Sequence, residues 1–143
     1  MNKKPIIIVA GEPNSIFLEI FFKSLKKNYY KSPLIIIVSE KLLIKQMHHL
    51  GFNFKLNQIN LNNVNFEKLD NKKINIINVD YNFKNAFEKI SKKSNKYIKK
   101  SFKIALEILK KNNFSKFING PVSKRYFLEG KSLGITEYLA KQS

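Results

Sequence analysis

The chain has no cysteine and no tryptophan, only 5 glycines and 4 prolines, and 10 acidic residues against 27 basic ones. Zero cysteines exclude a disulfide framework, a thiolate metal site and a cysteine nucleophile. Long apolar runs are missing as well: nothing approaches the roughly 20 residues that a membrane-spanning helix needs. The opening Met1-Asn2-Lys3-Lys4-Pro5 leads into an apolar run of only five residues, too short for the core of a secretory signal. These deficits predict a soluble, intracellular, cytoplasmic protein with no membrane partner. At 143 residues the chain has the length of one domain and can bury about two-thirds of its unfolded surface.

A net charge of +17 would suit nucleic acid, because lysine and arginine neutralise phosphates and release counterions. The kind of cation argues otherwise. Of the 27 basic residues 26 are lysine, and Arg125 is the single arginine, whereas bidentate phosphate and base-edge recognition use the planar arginine fork. Lysine, isoleucine and asparagine together make 63 of the 143 residues, and these are the amino acids of A/T-rich codons, so genome composition is a sufficient cause. The one local concentration, Lys84 to Lys111, predicts a helix with a solvated face. Nucleic acid is therefore not the expected partner.

Apolar patterning predicts strands alternating with helices. Pro5 to Ala10 and Leu34 to Val38 are β-branched runs of the kind buried on both faces of a parallel sheet. Ile16 to Lys27 carries apolar residues at 16, 17, 20, 21 and 25, a helical spacing. Ser39 is placed to cap a helix over Lys41 to Leu50, with Gly51 as its terminating glycine. Phe54 to Ile59, at or near a sheet edge, Ile74 to Val79 and Phe114 to Ile118 read as further strands. Ser94 is placed to cap a long helix ending at Asn112–Asn113. The Asn-rich piece from Asn60 to Lys73 reads as the least ordered. The fold class is α/β: an open, mostly parallel sheet with flanking helices. Thr136 to Ser143 reads as a helix just begun, capped by Thr136 and halted without a glycine or proline stop signal. That pattern predicts a fragment.

Ligands of open α/β sheets sit beyond the carboxyl ends of the strands, so the loops there are the candidates for chemistry. Gly11-Glu12-Pro13-Asn14-Ser15 follows the first strand and is neither a dinucleotide fingerprint nor a phosphate-binding P-loop. It reads equally as a ligand-facing loop or as a tight turn with Glu12 beside the positive end of the next helix. In Asn119-Gly120-Pro121-Val122-Ser123-Lys124 the Gly-Pro pair permits a sharp turn, and Lys124 offers a point charge for phosphate or carboxylate; an ordinary turn is the other reading. Thr136, in Gly134-Ile135-Thr136-Glu137, is either a helix cap or an anion ligand at a helix start. His48 and His49 are adjacent on one helix, point to different sides and cannot share a metal. They read as surface residues at a helix end. No catalytic residue and no metal ligand emerges from spacing.

Taken in order, Gly11-Glu12-Pro13, Asn119-Gly120-Pro121-Val122-Ser123-Lys124 and Gly134-Ile135-Thr136-Glu137-Tyr138-Leu139-Ala140 resemble the 4-hydroxythreonine-4-phosphate dehydrogenase family of the vitamin B6 pathway. The family patterns are G-[DE]-P-A-G-I-G-P-E, G-P-V-x-K or A-P-I-x-K, and G-H-T-E-[FY]-[LF]-A. The resemblance implies an isocitrate/isopropylmalate dehydrogenase-like α/β fold, a homodimer, and NAD-dependent oxidation of a small phosphorylated hydroxy amino acid to a β-keto acid that decarboxylates. It implies a divalent metal whose ligands are not in this chain. Thr136 falls on the family's substrate-contacting Thr, and Lys124 on the motif lysine. Gly11, Glu12, Pro13, Gly120 and Pro121 fall on the loops near the site. Ile135 stands where the family has His and can neither donate nor accept. Asn14, Ser15, Phe17 and Leu18 replace the glycines, alanine and proline of the first motif. Family members are more than twice as long, so residues 1–143 correspond to a single N-terminal α/β portion.

Overall fold

The computed structural model describes residues 3–143; Met1 and Asn2 of the opening segment lie outside the described residues. Five parallel strands, β1 (Ile6–Val9), β2 (Leu34–Val38), β3 (Leu56–Gln58), β4 (Ile74–Asn78) and β5 (Phe117–Asn119), form one sheet in the order β3-β4-β2-β1-β5. The α/β sheet expected from the sequence is therefore present, with the third strand at an edge. β1 and β2 are runs of isoleucine and valine because both faces of a central parallel strand are covered. Ile36 and Ile76 turn to one face with Ile8, under α1 (Phe17–Lys27) and α2 (Glu40–His49). Ile7, Ile35, Ile37 and Ile77 turn to the other face, under α3 (Asn95–Asn112). Full burial of each such side chain stabilises by about 1.5–3 kcal/mol. Among the described residues no helix is long and apolar enough to cross a membrane.

Helix α1 sits on the sheet differently from the apolar face expected for it. Leu18, Phe21 and Phe22 are buried, while Ile16 and Ile20 are 65% and 53% exposed. The face that meets the sheet is the arc of Phe17, Leu18, Phe21, Phe22 and Leu25, at i, i+1, i+4, i+5 and i+8; Ile16 precedes the helix and Ile20 lies beside that arc. α2 matches its signals: Ser39 Oγ accepts from the Leu42 amide at 3.3 Å, and Gly51 takes φ +78°. His48 and His49 are exposed at its end, as expected.

The starts of two helices differ from expectation. Ser94 precedes α3 but does not cap it; its hydroxyl donates instead to Glu12 Oε2 at 3.1 Å. In α4 (Ile135–Gln142) the cap position belongs to Gly134, and Thr136 is exposed within the first turn without a capping bond. The lysine-rich stretch is α-helical only from Asn95 onward, after a short 3-10 turn over Lys92–Ser94, and Lys84 to Ser91 forms an irregular loop. α3 ends as expected, with Asn113 in the left-handed region at φ 52°.

The Asn-rich piece is ordered by its own amides. Asn71 Nδ2 donates to the Tyr30 and Ser32 carbonyls at 2.9 and 2.8 Å, and its Oδ1 accepts from the Leu34 amide at 2.8 Å. Asn75, buried in β4, donates to the Leu34 and Asp70 carbonyls at 3.0 and 2.8 Å. Phe66 meets the Phe114 ring edge-on at 5.1 Å. Polarity read as disorder is here a set of side chains satisfying loop backbone groups. Asn71→Ala is expected to lower stability by about 1–3 kcal/mol through unsatisfied partners. Asn71→Asp should cost more, since it turns a carboxylate onto two carbonyl oxygens. Urea unfolding of the two variants beside the native chain checks both the size and the order.

Candidate functional site at the carboxyl edge of the sheet

β1 leaves the sheet toward α1 on one face, whereas the segment after β5 packs with α3 on the other. The strands are neighbours, so their carboxyl ends mark the point where the chain direction diverges, the ordinary place for a ligand crevice. The two glycine motifs meet there backbone to backbone. The Gly120 amide donates to the Val9 carbonyl at 2.7 Å, and the Glu12 amide donates to the Pro121 carbonyl at 2.8 Å. A Cβ on Gly120 would stand 2.0 Å from the Ala10 carbonyl oxygen, and one on Gly11 would stand 2.5 Å from that of Pro121. Gly11 also takes φ +76°. Each glycine is demanded by the other loop.

Behind this contact lies a buried polar cluster. Glu12 is 4% exposed; its Oε1 accepts from the Asn14 amide and its Oε2 from the Ser94 hydroxyl, both at 3.1 Å. Burial holds the Glu12 carboxyl above its ordinary value, against the downward pull of its hydrogen bonds to Asn14 and Ser94. Asn14 Oδ1 accepts from the Glu88 amide at 2.8 Å. Gln46, fully buried, donates to the Pro13 and Ala86 carbonyls at 2.8 and 2.7 Å, while its Oε1 finds no partner. Tyr97 accepts from the Ser39 amide at 3.2 Å, and burial pushes its phenol up, out of reach of ordinary pH. Glu12, Pro13 and Asn14 are thereby tied to α2, α3 and the loop after β4. The Glu12 carboxylate reaches the start of α3, which spacing along the sequence does not reveal; Asn14 and Ser94 read in the sequence only as a loop residue and a helix cap, and Gln46 carries no motif signal.

Beyond β5 the chain turns through a single wide helical turn, Lys124–Leu128, whose start is capped by Ser123 Oγ accepting from the Tyr126 amide at 3.0 Å. Phe127 and Leu128 anchor this turn in the core, and Ile135, Tyr138 and Leu139 of α4 pack against the same cluster. Lys124 and Thr136 are exposed, and Ile135 is half-buried. The structure thus joins the first two motifs by hydrogen bonds and the second to the third through apolar packing. Lys124 and Thr136 are not joined to each other by a hydrogen bond among the described residues.

The first loop is not a glycine-rich dinucleotide cradle: its Glu12 amide is already taken by the Pro121 carbonyl, and Gln46 and Glu88 bind Pro13 and Asn14. Nor do the residues present fit a metal centre, since among the described residues no three His, Cys, Asp or Glu side chains converge.

Gly120→Ala and Gly11→Ala are each expected to destabilise by about 1–3 kcal/mol or more, from overpacking against backbone. Gly134, with open space around it, should tolerate Ala with little change; thermal unfolding of the three variants checks this. For Glu12 the raised native value means that ionisation opposes folding. Its stabilising effect is full at pH below its ordinary unfolded value and is lost as pH rises through its higher native value. Glu12→Gln should therefore be more stable than the native chain near pH 7 and lose that advantage near pH 4. Glu12→Ala, which strands the Ser94 and Asn14 donors, should cost about 1–3 kcal/mol. Unfolding midpoints measured across pH distinguish the two variants.

Comparison with known proteins places the fold. The structure is similar to a 4-hydroxythreonine-4-phosphate dehydrogenase from Burkholderia phymatum, with TM-score 0.80 and 21% identity over 96% of this chain and 43% of that one. It is also similar to a 4-hydroxythreonine-4-phosphate dehydrogenase from Klebsiella pneumoniae, with TM-score 0.77 and 19% identity over 97% of this chain and 44% of that one. The chain thus spans less than half the length of these solved structures. Among curated proteins no match was found. The profile described as pyridoxal phosphate biosynthetic protein PdxA matches residues 30–143. That match covers the second and third motifs and four of the five strands, and the chain belongs to the PdxA family of pyridoxal phosphate biosynthetic proteins.

Proposed function

We propose that residues 1–143 are the N-terminal α/β portion of an NAD-dependent 4-hydroxythreonine-4-phosphate dehydrogenase. The reaction is oxidation of 4-phosphooxy-threonine to a β-keto acid, which loses carbon dioxide to give 3-amino-2-oxopropyl phosphate in vitamin B6 biosynthesis. The observation that carries this reading is the meeting of Gly11-Glu12-Pro13 with Gly120-Pro121 at the carboxyl edge, inside a chain of this family. In this reading the paired loops form one wall of the substrate cleft. Lys124 lends a positive charge to the phosphate or carboxylate of the substrate. Thr136, in the first turn of α4, offers its hydroxyl and the neighbouring amides. Ile135 contributes shape alone, so one polar contact expected of the family is absent.

NAD and the divalent metal are proposed to be held by residues outside this chain, in a cytoplasmic homodimer. The chain alone is therefore a binding wall without the redox machinery. The test combines two measurements on the purified chain. Mixed with 4-phosphohydroxythreonine, NAD and a divalent metal, it should produce no NADH; turnover would contradict the assignment of those groups to residues elsewhere. Titrated calorimetrically with the same substrate, it should bind, and Lys124→Ala should weaken binding by about 10-fold, the effect of losing one charge-assisted contact. An unchanged affinity would remove Lys124 from the site.

A further inference from the structure

Glu137 is the acidic residue of the third motif and stands at the third position of α4, after Gly134 at its cap. A glutamate at that position ordinarily reaches back to the amide of the cap residue. Here Glu137 Oε2 reaches one residue further and accepts from the Leu133 amide at 2.7 Å. Its Oε1 stands 3.2 Å from Lys141 Nζ, one turn along the helix. That ammonium donates in turn to the Lys131 carbonyl at 2.7 Å and to Ser132 Oγ at 3.3 Å. The Leu133 amide and the Lys141 ammonium together hold the Glu137 carboxyl below its ordinary value. Packing does not anchor the last two residues before the helix: Leu133 is 88% exposed, and Gly134 has open space around it. The stretch from Lys131 to Gly134 lies between the wide turn that begins at Lys124 and α4, so its path sets where α4 begins.

We infer that Glu137 is the positioning residue of the third motif: bonded to the Leu133 amide and paired with Lys141, it fixes the first turn of α4 so that the Thr136 hydroxyl and the adjacent amides meet the substrate. The inference rests on the role proposed for Thr136 in the cleft. The first intrahelical hydrogen bond of α4 runs from the Tyr138 amide to the Gly134 carbonyl at 3.1 Å. The amides of Ile135, Thr136 and Glu137 precede it and have no partner within the helix. Such a turn keeps its alignment only while something caps it, and Gly134 brings no side chain for the purpose. The cap therefore comes from inside the helix, from Glu137. Lys141 adds a second effect, because it offsets a negative charge that would otherwise repel an anionic substrate. An exposed ion pair four residues apart contributes little to overall stability. Its loss is felt at the start of α4 rather than across the fold.

The test titrates the purified 143-residue chain calorimetrically with 4-phosphohydroxythreonine and, without substrate, follows hydrogen exchange at the Leu133 amide. Glu137→Ala should quicken that exchange and weaken binding by about 5-fold, with little change in the thermal midpoint. Glu137→Gln, whose amide oxygen still accepts from Leu133, should bind within about 2-fold of the native chain. Thr136→Val should also weaken binding by about 5-fold. Because Glu137 acts through Thr136, the double variant Glu137→Ala/Thr136→Val should lose clearly less than the roughly 25-fold of two independent effects. Affinity or Leu133 exchange left unchanged by Glu137→Ala would overturn the positioning role while leaving the cleft in place. So would losses that multiply in the double variant, or a loss of affinity that tracks a fall in the midpoint. A native chain that does not bind the substrate would overturn the cleft itself, and the role with it.

Discussion

The carboxyl edge of this sheet rests on a contact between two stretches of bare backbone. β1 and β5 are adjacent parallel strands, and their outgoing loops approach so closely that a side chain on either glycine would overlap the opposite chain. Two hydrogen bonds, from Gly120 to Val9 and from Glu12 to Pro121, close the approach. Once it is made, the rest of the site's shape follows. The strand β5 is held in register with β1, the turn bearing Lys124 starts at a fixed point, and Phe127 and Leu128 bring α4 with Thr136 against the same core. In sequence these glycines are more than a hundred residues apart, and at Gly11 the demand of a positive φ adds to that of the close approach. They are there because of each other.

Glu12 shows how a buried loop carboxyl is held in place by hydrogen bonds. Burying a carboxyl is unfavourable unless its oxygens are satisfied, and here two donors from different elements satisfy them. The raised proton affinity of Glu12 follows from burial, and a perturbed carboxyl in a cleft is by itself weak evidence for a catalytic acid. Gln46 acts in the same way from the α2 side, bridging two carbonyls that no strand partner reaches.

Much of the architecture was legible in the sequence, because β-branched runs such as Leu34–Val38 have one physical explanation and helix signals such as Ser39 and Gly51 act locally. The places where expectation and structure part share a cause: each depends on a partner distant in sequence. Ser94 is placed as a cap, but its hydroxyl is taken by Glu12. The asparagines from Asn60 to Lys73 look like loop filler until Asn71 is seen bonded to three backbone groups. At the site, the motif order was readable and the pairing of the loops was not, since nothing in Gly11-Glu12-Pro13 states that its neighbour is Pro121. The roles proposed for Lys124, Ile135 and Thr136 rest on family resemblance.

Native-state hydrogen exchange at the Gly120 and Glu12 amides tests the central claim most directly. If the paired loops are part of the folded core, both amides exchange only through global unfolding. Their opening free energies should then equal those of central β2 amides such as Ile36. Exchange through local opening, with free energies well below those of β2 and no dependence on denaturant, would contradict the account, because the edge would then be a pair of mobile loops that happen to touch.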